Sequence, residues 1–326
     1  MPLYEGRQNA ENRIMISEQS KKTLIWGSDE VISAIAGIIN EAGGAVALDG
    51  WYGVDFVGIV ARLKKAGAKA RFVNITEVYK PIAEIEEYKK EFITDDPAFG
   101  YCNMDGRLID LMDKNKVGTL KAELKQGVVV YGYGAAVPEL FPAYDKTLYF
   151  DKTRQPMLWQ MWEGKLIPFA QHGPKKDYGW KEYYYCDYFL LHWQKHYLIE
   201  KMDQYIEAID IKDMKMMPRL AYDEIITTML KYPIKEVEIY QPGPWGAYRY
   251  KDFWDIPGLE CNAWNELAGP ELSILIDVGA KGMINMPFVN LMQYAPKLVG
   301  KYLDETYPHL FPLDAWLDDG YFPEKT

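Results

Sequence analysis

The carboxylate of Asp49 closes a short apolar run and opens the stretch Leu48-Asp49-Gly50-Trp51-Tyr52-Gly53-Val54-Asp55. A carboxylate at a strand end, ahead of an aromatic loop, can act as a general base toward a substrate hydroxyl. It can equally cap the helix that begins near Phe56 or organise the Asp-Gly turn. Gly27-Ser28 and Gly132-Tyr133-Gly134 end two further apolar runs. Gly27, Ser28, Tyr52, Asp55, Gly132 and Arg154 are therefore expected to line a ligand crevice, with Asp49 as its candidate base. A second group, His192-x-x-x-His196-x-x-x-Glu200, has the spacing that puts three side chains on one helical face, where they could share a metal. No Glu follows the first His as in H-E-x-x-H, so a peptidase reading gains nothing. Gln171-His172-Gly173 is a fainter metal candidate. Arg62, Lys152, Arg154 and Lys165 are cations that could grip a phosphate, although scattered Lys and Arg also serve an ordinary solvated surface.

These groups need a frame. Thr23–Trp26, Ala45–Leu48, Ala70–Asn74, Gly127–Tyr131 and Thr147–Phe150 read as short strands. Val31–Glu41, Phe56–Lys65 and Ile82–Glu91 have helical spacing. Strands alternating with helices predict an α/β domain on a parallel sheet covered on both faces, with its ligand crevice beyond the carboxyl ends of the strands. Beyond Asp151 the chain becomes rich in Trp, Tyr and Lys, and Tyr188–Ile209 reads as one long helix. From Ile234 onward Val237–Tyr240 and Leu272–Val278 read as β, followed by a helix over Leu291–Leu303. The expected division is a leader segment 1–22, an α/β domain with a helical extension 23–232, and a smaller, β-rich mixed α+β region 233–326.

Composition narrows the function. The 326 residues carry 37 basic and 47 acidic side chains, net −10, which argues against a nucleic-acid binder. No apolar run reaches the roughly 18 residues of a membrane span, and residues 1–22 lack the apolar core of a signal peptide. Three scattered cysteines without CxxC spacing predict neither a disulfide framework nor a cysteine zinc site, and make the cytoplasm the default location. Ten Trp and 25 Tyr suit a sugar cleft, but they suit an ordinary core or interface as well.

The strand–turn–helix at 23–41, the aspartate–aromatic loop 49–55, the Val128–Tyr131 strand with its glycines, and Leu148-Tyr149-Phe150-Asp151 before Arg154 together resemble the uridine kinase and phosphoribulokinase branch of P-loop kinases. The resemblance implies a P-loop-kinase-like domain with Asp49 as base and Arg154 over the phosphates. The phosphate loop departs from G-x-x-x-x-G-K-[ST]: the corresponding stretch is expected at Gly27-Ser28-Asp29-Glu30-Val31-Ile32-Ser33, which has no lysine and sets two carboxylates where phosphate would sit. Magnesium nucleotide is disfavoured on that ground.

A further resemblance covers the chain more widely. Asp49–Phe56, Val129–Gly132, Tyr184–Asp187 and Pro242-Gly-Pro-Trp-Gly246, with Asn262-Ala-Trp-Asn-Glu266 and Ala295-Pro-Lys-Leu-Val-Gly300, are similar to the front of long bacterial class I mannose-6-phosphate isomerases. That family holds zinc in a cupin barrel opened by a Gln-x-His-Pro strand. That strand is expected shortly after Phe311–Leu317, where the only nearby histidine is His309, so no complete zinc site is expected and the cofactor is unknown. This implies either a piece of a longer protein or a relative without the metal centre. The expectation is a cytoplasmic protein of sugar-phosphate metabolism that binds a phosphorylated sugar or nucleotide. The alternatives are a phosphotransferase with a degenerate phosphate loop and a non-catalytic assembly module that forms a homo-oligomer.

Overall fold

A computed structural model of the chain describes residues 11–96, 100–231, 234–235 and 273–293. They fall into two units, residues 23–219 and a second made of the described residues within 1–22 and 220–326. The larger unit carries every candidate residue.

Its sheet has seven strands: β2 (Ile25–Trp26), β3 (Ala45–Gly50), β4 (Arg71–Asn74), β5 (Val128–Tyr131), β6 (Tyr144–Asp151), β7 (Gln204–Glu207) and β8 (Lys215–Pro218), in the order β2-β8-β7-β6-β3-β5-β4. The five strands from β7 to β4 are parallel, and β8 runs antiparallel to both β7 and β2. The expected α/β class with a mostly parallel sheet is therefore present. β3 is the middle strand of the parallel set. From it the chain moves outward to β4, returns to β5, then crosses to β6 on the other side. The carboxyl end of β3 is thus the point where the winding reverses, the usual place for a ligand crevice.

Helices follow from apolar spacing. α2 (Ser28–Glu41) buries Val31, Ile32, Ile35, Ala36 and Ile39, and α3 (Phe56–Lys65) buries Phe56, Ile59, Val60 and Leu63. All of these except Val60 join Val46, Leu48, Val129, Leu148, Phe150 and Ile206 in one core. α4 (Ile82–Ile93), α5 (Lys114–Glu123), α6 (Arg154–Trp162) and α7 (Tyr188–Ile199) complete the unit, and a π-helical turn, Glu182–Asp187, leads into α7.

Two expectations are corrected. The apolar run at 23–26 is not the first strand of the parallel set. Only Ile25–Trp26 pairs, at the sheet edge and antiparallel to Met216 and Lys215, so Gly27 and Ser28 do not open the central crevice. The long helix over Tyr188–Ile209 stops at Ile199. Residues Gln204–Glu207 leave it for the sheet, where Leu148–Asp151 supplies a parallel partner.

In the smaller unit β1 (Glu11–Arg13) pairs in parallel with β9 (Ser273–Asp277), which pairs antiparallel with β10 (Met283–Pro287). The Asn12 amide donates to the carbonyls of Leu275 and Lys235, linking β1 to β9 and to residue 235. α1 (Glu18–Thr23), α8 (Arg219–Met229) and α9 (Val289–Gln293) are its helices. Of the expected elements, β9 matches Leu272–Val278. Val237–Tyr240, the Pro242–Gly246 motif, Asn262–Glu266, Ala295–Gly300 and the region around His309 lie outside the described residues.

Gly50 packs closely against the neighbouring strand. A Cβ there would lie 2.3 Å from the Phe150 carbonyl oxygen of β6, which is backbone and cannot swing away. Gly50→Ala is therefore expected to lower stability by about 1–3 kcal/mol, the usual cost of overpacking, read as a fall in the urea midpoint at unchanged m-value.

Candidate functional site

Asp49, the penultimate residue of β3, is fully buried, and its carboxylate is engaged on both oxygens. Oδ1 accepts from the Gly50 and Gly134 amides at 2.7 and 2.9 Å. Oδ2 accepts from the Ala136 amide at 2.9 Å and from Gln194 Nε2 of α7 at 2.7 Å. Burial pushes its pKa up to about 6 against the pull of these four donors. The side chain thus clamps the start of its own loop, the loop after β5, and α7. The helix beginning at Phe56 takes a different cap: Asp55 accepts from the Gly58 amide at 2.8 Å.

The β3–α3 loop is turned inward. Trp51 N donates to the Phe150 carbonyl at 3.0 Å, Gly53 N to the Tyr133 hydroxyl at 3.2 Å, and Phe56 N to the Val54 carbonyl at 3.0 Å. Tyr52 is fully buried, within 4.6–4.9 Å of the Phe169 and Tyr133 rings, and Phe56 packs edge-on to Tyr133 and Phe150. The Tyr52 hydroxyl accepts from the Phe169 amide at 3.0 Å and donates to the Asp187 carboxylate at 2.8 Å. Asp187, at the end of the π-helical turn, also accepts from Tyr178 at 2.7 Å and pairs with buried Lys89 at 2.7 Å. Burial alone would lower the Lys89 pKa, but Asp187, Cys186 and Glu182 raise it, so the ammonium keeps its charge.

Carboxylates recur at the ends of the next two strands. Asp151 of β6 pairs with Lys195 of α7 at 2.8 Å and accepts from Tyr205 at 2.9 Å, while the Lys195 ammonium lies 4.4 Å from the centre of the Trp51 ring. Opposite Asp151 in register, Glu207 of β7 pairs with Lys215 at 2.7 Å. Lone buried charges are expensive, and these are paired and hydrogen-bonded. Sequence reading missed Asp187, Lys89, Lys195 and Gln194. Their partners lie 98 to 145 residues away for Lys89 and Gln194, a separation that no local pattern records.

The other expected residues disperse. Ser28 Oγ donates to the Ile211 carbonyl at 2.6 Å and accepts from Met214 N at 3.0 Å, holding the β7–β8 loop against α2. Arg62 binds the same Ile211 carbonyl and pairs with Asp29 at 2.8 Å. Gly132 N donates to the Leu48 carbonyl, joining β5 to β3. Lys152 is buried beside Gly53, donates to the Ile209 carbonyl at 2.7 Å, and has its pKa lowered by burial. Arg154 is buried at the start of α6 with its guanidinium 4.6 Å from the Tyr184 ring centre. Lys165 is exposed and pairs with Glu163, away from this cluster.

His192, His196 and Glu200 do not form a metal site. Among the described residues no group of three or more His, Cys, Asp or Glu is placed to hold one. His192 is buried between the Tyr188 and Trp193 rings, and burial drives its pKa well down; Glu200 lies just past the last turn of the helix. A depression of about 310 Å³ opens at the opposite, amino-terminal end of the sheet, beside Glu41, Asp145, Lys146 and Asp203. Among the described residues no helix is long and apolar enough to cross a membrane.

The raised Asp49 pKa has a consequence of definite sign. The folded state holds this proton more tightly than the unfolded chain, so the stability it contributes is complete below about 4 and is lost as pH rises through about 6. Asn at position 49 carries no such titration. The stability advantage of wild type over Asp49→Asn is therefore expected to shrink by up to about 3 kcal/mol between pH 4 and pH 7, as read by urea melts at each pH. The variant is expected to be the less stable at both, because its amide turns a donor toward backbone N–H groups.

No curated protein and no solved structure matches the chain. The family model described as Domain of unknown function (DUF8485) matches residues 27–231, more than half of the chain and nearly the whole of the larger unit, and the chain belongs to that family.

Proposed function

We propose that residues 23–219 are a kinase-like α/β module that binds a phosphorylated sugar and does not transfer phosphate, within a cytoplasmic protein of sugar-phosphate metabolism related to class I mannose-6-phosphate isomerases. The observation that carries this reading is the loop between β3 and α3, which follows the middle strand of the parallel set, whereas residues 27–33, the expected phosphate loop, follow an edge strand. In a phosphate-binding loop the strand–turn–helix points its N–H groups at the ligand, and a lysine adds charge. Here Gly50, Gly53 and Gly58 donate to Asp49, Tyr133 and Asp55. Residues 49–56 contain no lysine, and Asp55 puts a carboxylate at the helix N-terminus, where it would repel a triphosphate. Binding of a smaller anion is supported by Lys152, whose side chain lies beside Gly53 of this loop, with Arg154 two residues on at the start of α6. The sugar-phosphate class rests on the sequence resemblance.

A second reading, a phosphotransferase with Asp49 as base, draws on one observation: a carboxyl group with a pKa near 6 suits proton transfer at neutral pH.

Thermal melts separate the two. Mannose 6-phosphate or fructose 6-phosphate is expected to raise the Tm of the full chain by a few degrees, since a ligand at 100 times its Kd adds about 2.7 kcal/mol. ATP, GTP and UTP with magnesium are expected to leave it unchanged. A magnesium-dependent nucleotide shift would overturn the proposal in favour of the phosphotransferase. Melts unmoved by every ligand would overturn it in favour of an assembly module.

A further inference from the structure

Residues 163–179 connect α6 to the π-helical turn with no helix or strand of their own. Connections longer than about 12–15 residues without secondary structure are uncommon in compact domains and usually serve as lids or binding loops. This one closes on itself. A Cβ at Gly164 would lie 3.1 Å from Lys176 Cα, so the two ends meet. Lys175 N donates to the Leu166 carbonyl at 3.1 Å, and Gln171 N to the Pro168 carbonyl at 3.4 Å. Such an Ω-loop is a body that can move without unravelling.

Its anchors lie along its buried face, where Phe169 and Tyr178 also meet Tyr133, Tyr52 and the Lys89 ammonium. Leu166, Pro168, Phe169 and Tyr178 are buried, whereas Lys165, His172, Pro174, Lys176 and Asp177 are exposed. Phe169 lies between the Tyr52 and Tyr79 rings, with its amide on the Tyr52 hydroxyl. At the far end the Tyr178 hydroxyl meets Asp187, the carboxylate that also accepts from Tyr52. Lys175 adds an ion pair to Glu182 at 3.0 Å. One backbone feature inside the loop and one beyond its end suit a moving part. Ala170 has φ 61, a left-handed conformation unfavourable for alanine, and the π-helical turn leaves an irregular register often found at functional sites.

We propose that residues 164–178 are a flap over the carboxyl end of β3, latched shut by the Tyr52 hydroxyl between Phe169 and Asp187, and that it opens as a unit. In the closed form the loop that would meet a ligand instead holds the flap, so the module is shut by its own tyrosine. Opening withdraws Phe169 and Tyr178 and frees Tyr52, Asp187 and Lys89 to face an incoming sugar phosphate. This last step rests on the function proposed above; the flap and its latch do not.

The test is hydrogen exchange of the full chain read by mass spectrometry, which sees sub-global opening directly. Flap peptides in the wild type are expected to exchange at least tenfold faster than those of β3, β5 and β6. Tyr52→Phe, which keeps the ring and removes the bridging hydroxyl, is expected to speed the flap at least tenfold further and leave the strands unchanged. Tyr178→Phe loosens the other end of the latch and serves the same comparison if Tyr52→Phe fails to fold. Equal exchange of flap and strands in the wild type, or a variant that moves both together or neither, overturns the proposal. The readout needs no ligand, so a blank thermal-shift panel would leave the flap standing, and failure of the flap would leave that panel valid.

Discussion

One buried carboxylate fixes the carboxyl end of this sheet. Asp49 is the penultimate residue of the central strand with no water to solvate it, so the chain must bring donors, and it brings them from three places at once: its own loop, the turn after β5, and α7. An unsatisfied buried charge would cost several kcal/mol, so these segments are not independent choices. Once they converge on Asp49, the glycine turn at 132–134 is drawn toward the strand end and α7 lies across it. The crevice that an open parallel sheet normally offers at this position is then closed by the molecule itself.

The same solution is repeated on either side. Asp151 with Lys195, Glu207 with Lys215, and Asp187 with Lys89 each put a carboxylate against an ammonium, and tyrosine hydroxyls add to Asp151 and Asp187. The abundant tyrosine is explained in these terms. Tyr52, Tyr178 and Tyr205 bury their rings and give their hydroxyls to acids, and Tyr79 and Tyr144 give theirs to the carbonyls of Tyr133 and Ala135. A phenol fills apolar space and satisfies a charge in one side chain. In this unit the aromatic richness builds a polar-cored lining around the strand ends.

The sequence carried the α/β class plainly, because α2 and α3 bury one clear stripe each and the strands between them are short apolar runs. It also singled out Asp49, Tyr52 and Asp55, which lie at the carboxyl end of β3 and in the loop leading to α3. What it hid was pairing. The run at 23–26 looks no different from Ala45–Leu48, yet one is a sheet edge and the other its middle, a distinction set by partners at 215–216 and 129–131. The stretch Gln204–Glu207 continues an apolar pattern from α7, but an available strand edge on β6 wins it for the sheet. Lys89, Lys195 and Asp187 sit in ordinary amphipathic or aromatic surroundings, and their meaning appears only when distant segments meet. His192 and His196 show the reverse: their spacing suggested a shared ligand, whereas burial of His192 among aromatic rings gives it a packing role.

The central claim is that the N–H groups of the β3–α3 loop serve the chain and not a phosphate. The amide resonances of Gly50, Gly53 and Gly58 report on it directly in an ¹⁵N-labelled sample titrated with magnesium ATP and with magnesium pyrophosphate. The account predicts that all three stay in place up to millimolar ligand, held by Asp49, Tyr133 and Asp55. Saturable shifts of these amides with either compound would mean that the loop opens to cradle phosphate, and would contradict it.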